Sequence, residues 1–276
     1  MSPAAPTDQR RVYEAAYQNA DGAYGIPDRK IADGRPLVGQ QILCLGCGAG
    51  NDIWHLAADN QVIGFDYANS GLEVAERHDI AAVYGDLNLD PKLPFADAAF
   101  DVVICKDILE HLLDPLAVLR DVRRVLKQGG FAVVSVPNHF TLPMRLRLLC
   151  GRGLIYRSLL GGHEAYDEWN YMHVRFFTYR GFRRFLRAAG FRAEKWFWDF
   201  GNLAHYRNPD MWLEPQLWKR QHGLPLSPRA KLGVYIIRPL WAAFNAVFPR
   251  YVRRAIVAQA PGLLCGGFYV RVVKEE

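Results

Sequence analysis

The sequence predicts an α/β fold built on a parallel sheet with helices on both faces. Three observations lead there. Short apolar runs (QILCL, QVIGFD, AAVYGD, DVVICK, FAVVSVP) alternate with helical patterns from Gln41 onward. The first run ends in a glycine-rich turn, CLGCGAGND, and the segment DPLAVLRDVRRVLKQGG carries the signals of a capped amphipathic helix.

In chain order, residues 1–36 hold a short helical pattern (Val12, Ala15, Ala16) followed by the turn formers DGAYGIPDRK, which suggests a cap over the domain rather than part of its sheet. The strand QILCL, the glycine turn and a helix after Gly50 come next, then the strand QVIGFD and a helix from Leu72 to His78. AAVYGD and DVVICK are the third and fourth strands. The helix from Asp114 to about Gln128 has Asp114 to cap it, Pro115 at its first position, Leu116, Leu119, Val122 and Leu126 on one face, and Gly129 to end it. Beyond the fifth strand, FAVVSVP, residues 138–173 form a basic and aromatic insertion. A helix over Tyr179 to Ala189, ended by Gly190, and the run FRAEKWFWDF resume the alternation. Residues 229–258 look like amphipathic helix broken near Pro239 and Pro249, and Gly266 to Val273 reads as a last strand. There is no internal repeat. The reading is a 1–36 cap, a 37–200 core that includes the insertion, and a 201–276 extension belonging to the same domain.

Composition narrows the class. No stretch reaches the roughly 18 to 20 apolar residues that span a bilayer, and MSPAAPTDQRR lacks the apolar run of a secretory leader, so a cytoplasmic location is expected. Five cysteines, odd in number and mostly in apolar runs, suit reduced core thiols; Cys44 and Cys47 form a C-x-x-C, but no second pair exists to complete a zinc site. Charge is divided unevenly. Met1 to Asp114 holds eight Lys/Arg against eighteen Asp/Glu, whereas Pro115 to Glu276 holds twenty-six against ten. Either the halves attract each other across the fold, or the C-terminal part faces an anionic substrate, lipid headgroup or nucleic acid.

The glycine turn carries the chemistry. In an open α/β sheet, ligands bind outside the carboxyl ends of the strands. Gly46, Gly48 and Gly50 allow the chain to turn sharply there and to lie close against a ligand. The spacing is G-x-G-x-G, whereas a nicotinamide dehydrogenase wants G-x-G-x-x-G. Asp66, twenty residues beyond Gly46, ends the second strand, where a carboxylate can accept both hydroxyls of a ribose, and Asp86 in YGDLN stands where it could take an adenine amine.

The segments ILCLGCGAG, VIGFD, VYGDLNLDPKLPFADAAFDVVICKDILEHLLDPLAVLRDVRRVLKQGGFAVVSVPN and HVRFFTYRGFRRFLRAAGF resemble, in order and spacing, the class I S-adenosylmethionine-dependent methyltransferases over roughly residues 38–200. Within them the chain is similar to the ubiquinone-biosynthesis O-methyltransferases, to the methionine-biosynthesis protein of the MetW type and to methyltransferases of cell-surface glycan clusters. The resemblance implies a Rossmann-like seven-stranded sheet, mostly parallel with a reversed last strand, and S-adenosyl-L-methionine as cofactor. It implies that Gly46, Gly48 and Gly50 line the methionine part, Asp66 the ribose, and Asp86 with Leu87 the adenine, with Cys47, Tyr67 and Lys106 as flanking cofactor contacts. Most relatives carry an acid where this chain has Cys44, so another group must hold the cofactor's ammonium.

For chemistry, the segment CKDILEHL follows the fourth strand and offers Lys106, Asp107, Glu110 and His111. His111 is the first candidate for a general base, because imidazole accepts a proton near neutral pH; Asp107 is a further catalytic candidate, and His139 and His173 are weaker rivals. Asp107, Glu110 and His111 fit no established metal spacing, so no metal is expected. A base-methylating nucleic-acid enzyme would carry [N/D]-P-P-[Y/F] or a Pro-Cys nucleophile, and neither is present, so no nucleic-acid partner is expected. Arg145, Arg147, Arg152 and Arg157 follow the fifth strand, where relatives build the acceptor pocket, and guanidinium forks suit phosphate or carboxylate. The expected activity is methyl transfer, most simply to oxygen, on an anionic small-molecule or glycan acceptor. The alternative is a cofactor-binding partner protein of the MetW type without turnover of its own. Peripheral membrane contact through Arg229 to Ala258 and a homodimer are further expectations.

Overall fold

A computed structural model describes residues 8–18, 31–33, 36–151, 153, 173–198, 220–221, 223, 225–237, 239–240, 243 and 250–276. The strands β1 (Gln41–Leu45), β2 (Gln61–Asp66), β3 (Ala81–Tyr84), β4 (Phe100–Lys106), β5 (Leu126–Pro137), β6 (Phe191–Trp196) and β7 (Gly267–Lys274) form one seven-stranded sheet in the order β3-β2-β1-β4-β5-β7-β6. β1 pairs parallel with β2 and β4, β2 with β3, and β4 with β5, while β7 runs antiparallel to β5 and β6. The reversed last strand is therefore present and inserted between its neighbours.

Alternation along the strands divides the core. Leu43, Leu45, Val103 and Cys105 point to one face, where Val118, Leu119 and Val122 of α3 (Pro115–Val125) and Phe182 and Leu186 of α5 (Tyr179–Ala188) cover them. Ile42, Cys44, Val102 and Ile104 point to the other, under Ala75 of α2 (Asn69–Glu76), Ile53 and Leu56. Both faces are thus dry, as a parallel sheet requires.

The helix ends follow local chemistry. The Asp114 carboxylate accepts from the Ala117 N–H at 3.0 Å at the start of α3, and the Thr178 hydroxyl accepts from the Gly181 N–H at 3.0 Å at the start of α5, which ends at Gly190 with φ 79°. Two expectations need correction. No α-helix follows Gly50; a single 3-10 turn, Trp54–Leu56, stands there in place of the expected helix, because Ile53 and Leu56 need only one turn to reach the core. α3 stops at Val125, since Leu126 already adopts extended geometry and opens β5, leaving Gly129 (φ 78°) inside the strand element.

α1 (Asp8–Gln18) packs on α2. Glu14 caps α2 from outside: its carboxylate accepts from the Asn69 and Ser70 N–H groups, both at 3.0 Å, where Ala68 supplies no side-chain cap of its own. In the insertion, α4 (Leu142–Leu149) is described; Arg157, Tyr156 and the rest of residues 154–172 lie outside the described residues, as do Arg152 and residues 207–219. Of the expected long helix at 229–258, α6 (Pro228–Leu232), a π-turn Gly233–Ile237 and α7 (Arg250–Gln259) are described, followed by α8 (Pro261–Leu264). Among the described residues, no helix is long and apolar enough to cross a membrane.

Candidate functional site

Strand order reverses between β1 and β4, and a pocket opens there at the carboxyl ends of the first four strands. Gly46 lines it after β1, Asp66 and Tyr67 after β2, Asp86 and Leu87 after β3, and Asp107 and His111 after β4. All seven are candidates from the sequence, and the fold brings them together. The other candidates, Cys47, Gly48, Gly50, Lys106 and His139, are not among the lining residues. A Cβ at Gly50 would stand 2.5 Å from the Ile80 side chain, so that glycine makes room for Ile80 between α2 and β3; the Cys47 sulfur fills the space above Gly64; and the Lys106 ammonium pairs with Asp52 at 2.8 Å.

Backbone geometry at the turn explains the glycines that matter. Gly46 has φ 65° and a Cβ there would lie 2.7 Å from Ile108, while Gly48 has φ 50° and a Cβ there would lie 2.3 Å from the Tyr17 hydroxyl. Side chains at either position are strained and crowded at once. Asp66 is 7% exposed, and its two oxygens accept from the Gly48 N–H at 2.8 Å and the Ala68 N–H at 2.9 Å. Burial pushes its carboxyl up, against those main-chain bonds. The acid thus fixes the turn and still offers lone pairs to the pocket. Asp107, with φ 50°, is a non-glycine residue in the left-handed region at the pocket wall, held by the Ser135 hydroxyl, which donates to its carboxylate at 2.9 Å.

Several lining residues escaped the sequence reading. Tyr13 and Tyr17 come from α1, whose i, i+4 pair of tyrosines was the available signal; Phe65, Gly85, Asn88, Ile108 and Leu112 flank motif positions. Gly85 is needed because a Cβ there would meet the Phe65 ring at 2.2 Å. Asn88 ties the loops together: its amide donates to the His111 carbonyl at 3.3 Å and its carbonyl accepts from the Leu113 N–H at 2.7 Å. Cys44 is buried among Ile42, Val102 and Ile104, and burial, reinforced by nearby Cys47 and Asp52, pushes its thiol far up. It behaves as a small apolar residue and supplies no carboxylate.

Next to the pocket stands a group of titratable side chains. The Glu110 carboxylate lies 3.9 Å from His111 Nε2 and 4.0 Å from His173 Nε2, and His173 Nδ1 shares a 2.7 Å hydrogen bond with His139 Nε2. Burial pushes the imidazoles of His139 and His173 down to about 4 and about 3, so both are neutral at physiological pH. Burial drives the Glu110 carboxyl well above its usual range. His173 is brought here by the main chain, since the Glu110 carbonyl accepts from the Val174 N–H at 2.8 Å and the Arg175 N–H at 3.0 Å.

Residues 43–134 match the family described as "Methyltransferase domain". Among curated proteins, the chain is 35% identical over 137 residues to a ubiquinone biosynthesis O-methyltransferase of Albidiferax ferrireducens, covering 47% of this chain and 54% of that one. A protein of the same name from Ruegeria pomeroyi is 31% identical over 151 residues, covering 51% and 58%. The chain thus spans between half and two thirds of the length of these relatives. Among solved structures, the (4+2) cyclase SpnF superposes with a TM-score of 0.55 at 21% identity, covering 98% of both chains. An S-adenosylmethionine-dependent methyltransferase from Methanosarcina mazei superposes with a TM-score of 0.50 at 19% identity, covering 62% of this chain and 89% of that one. Residues 43–134 thus match a methyltransferase domain, the sheet has the fold of these solved structures, and S-adenosylmethionine is the cofactor that such a domain implies. The residues present fit it: Gly46 leaves open backbone for close approach, and Asp66 and Asp86 stand at consecutive strand ends as acceptors for hydroxyl and amine donors.

Proposed function

We propose that the protein is an S-adenosylmethionine-dependent methyltransferase acting on a hydroxyl of a small-molecule or glycan acceptor of anionic character. The observation that carries this reading is the one pocket lined both by Gly46, Asp66 and Asp86 and by Asp107 and His111. Cofactor groups and proton-handling groups meet across one cavity. The names of the curated relatives favour oxygen as the acceptor atom.

The cofactor supplies a methyl group on a positively charged sulfur. This chain would hold the ribose through Asp66, the adenine through Asp86 and Leu87, and the methionine end over Gly46. Tyr13 and Tyr17 of α1 cover the same pocket and would exclude water from it. Holding donor and acceptor in line supplies much of the rate, and His111 would take the acceptor's proton as attack begins. Asp52, held by Lys106 and close enough to Cys44 to influence its thiol, is the acid we assign to the role that Cys44 cannot fill. The surplus of positive charge beyond Pro115 supports an anionic acceptor. Arg145 and Arg147 spend part of their guanidinium groups on the carbonyls of Phe140 and Gly153. Their remaining N–H groups would face it.

Cys44 favours one other reading, a cofactor-binding partner without turnover, and the cyclase with the same fold illustrates that fold does not dictate methyl transfer. Incubation of purified protein with S-adenosylmethionine and a panel of phenolic, carboxylated and phosphorylated acceptors, followed by mass spectrometry for S-adenosylhomocysteine, decides between them. Acceptor-dependent product supports the enzyme; cofactor binding without product from any acceptor supports the partner.

A further inference from the structure

The cluster beside the pocket is composed as a metal site. Glu110, His111 and His173 each present one ligand atom, and all three atoms lie within 4.8 Å of one another. Two imidazoles and one carboxylate are the donor set of catalytic zinc and of non-haem iron sites, with coordination positions left over for a substrate or water. Ligand atoms about 2.1 Å from a tetrahedral ion stand about 3.4 Å apart. Modest side-chain rotation closes the observed spacing to that value.

A second observation points the same way. Glu110 is 1% exposed, and its Oε2 has no hydrogen-bond partner among the described residues. A buried carboxylate oxygen without a donor is costly, and a bound cation is one way to satisfy it. A third is the support around His173. A metal-bound histidine usually donates its other ring N–H to a fixed acceptor, and His173, with Nε2 toward Glu110, has Nδ1 at 2.7 Å from His139 Nε2. His139 is 1% exposed and cannot swing away.

We infer that Glu110, His111 and His173 bind one divalent transition-metal ion, with His139 as the positioning residue for His173, at the edge of the pocket lined by His111. This deepens the proposed function and rests on it for its purpose. An ion there would bind the acceptor oxygen and acidify its hydroxyl, whose proton leaves to solvent. As oxygen attacks, the O–CH3 bond forms and the bond from sulfur to the methyl carbon breaks. His111 then acts as a ligand instead of as the base.

The test uses untagged full chain, stripped with chelator and titrated with Co2+ alone, without cofactor, while the visible spectrum is recorded. The expected result is one equivalent bound with the intense bands of a low-coordinate nitrogen and oxygen site. Glu110→Gln and His173→Asn should each weaken binding by about tenfold or more, and His139→Phe by about tenfold. Only the weak spectrum of hydrated Co2+ with wild-type protein overturns the inference, whatever the variants do, and so does unchanged affinity in folded Glu110→Gln and His173→Asn. Because cobalt binding is read without S-adenosylmethionine, failure of the cofactor to bind would sink the methyltransferase reading and leave this result standing.

Discussion

The pocket wall proposed for the cofactor and the wall of side chains beside the pocket are built on opposite principles. On the cofactor wall, polar groups are already satisfied: Asp66 accepts from two main-chain amides, and left-handed glycines shape the turn. In the cluster beside the pocket, beyond β4, Glu110 is buried with one oxygen that has no hydrogen-bond partner among the described residues, and two neutral histidines face each other. A satisfied wall is rigid and suits a ligand that is always the same. An unsatisfied wall stores free energy that a bound group can release, which suits a site of reaction.

If the walls are separable in this way, substitutions should divide into two sets. The largest effect belongs to the reactive wall. His111→Gln should lower turnover by about a hundredfold to ten-thousandfold while leaving cofactor affinity near that of the parent. Steady-state kinetics with calorimetry checks this, and a parallel loss of cofactor affinity would merge the walls. Asp66→Ala should instead act on both stability and cofactor binding. It strands two buried donors at a cost of about 2–5 kcal/mol in urea unfolding, and should leave cobalt binding intact in folded protein. That structural cost makes Asp66 a poor control for cofactor contact alone. Gly46→Ala comes next, at about 1–3 kcal/mol from the left-handed backbone and the Ile108 contact, with weaker cofactor binding.

The smallest effect concerns α1. Burial alone would raise the Glu14 carboxyl, but hydrogen bonds from the main chain and side chain of Ser70 and from Asn69, with Arg10 nearby, hold it below 4.5. A carboxylate depressed on folding contributes stability that is present above 4.5 and is lost as pH falls through its folded value. Glu14→Gln should therefore cost about 0.5–1 kcal/mol at pH 7 and nothing at acid pH, read as the difference in unfolding free energy across that range.

The same contrast explains what was legible beforehand. The cofactor wall is written in local spacing, because each strand end contributes a residue adjacent to its own apolar run, so Gly46, Asp66 and Asp86 could be read one strand at a time. The sheet itself was legible for that reason, with β7 identified from its apolar run though not its place between β5 and β6. The helix expected after Gly50 failed because a glycine turn followed by a few apolar residues looks alike for one turn or three. The histidine cluster was illegible as a unit. His173 reaches Glu110 through main-chain bonds of Val174 and Arg175, which no spacing rule within CKDILEHL can reveal. Tyr13 and Tyr17 were hidden likewise, because Glu14 docks their helix by capping α2 across the fold.

The central claim is that the glycine-turn pocket binds S-adenosylmethionine although Cys44 replaces the usual acid. Calorimetric titration of the full chain with S-adenosylmethionine and S-adenosylhomocysteine, with Gly46→Ala alongside, tests it most directly. One-to-one binding in the micromolar range, weakened about tenfold or more by Gly46→Ala, is the result this account predicts. Absence of binding of either ligand to protein that is folded by circular dichroism would contradict it.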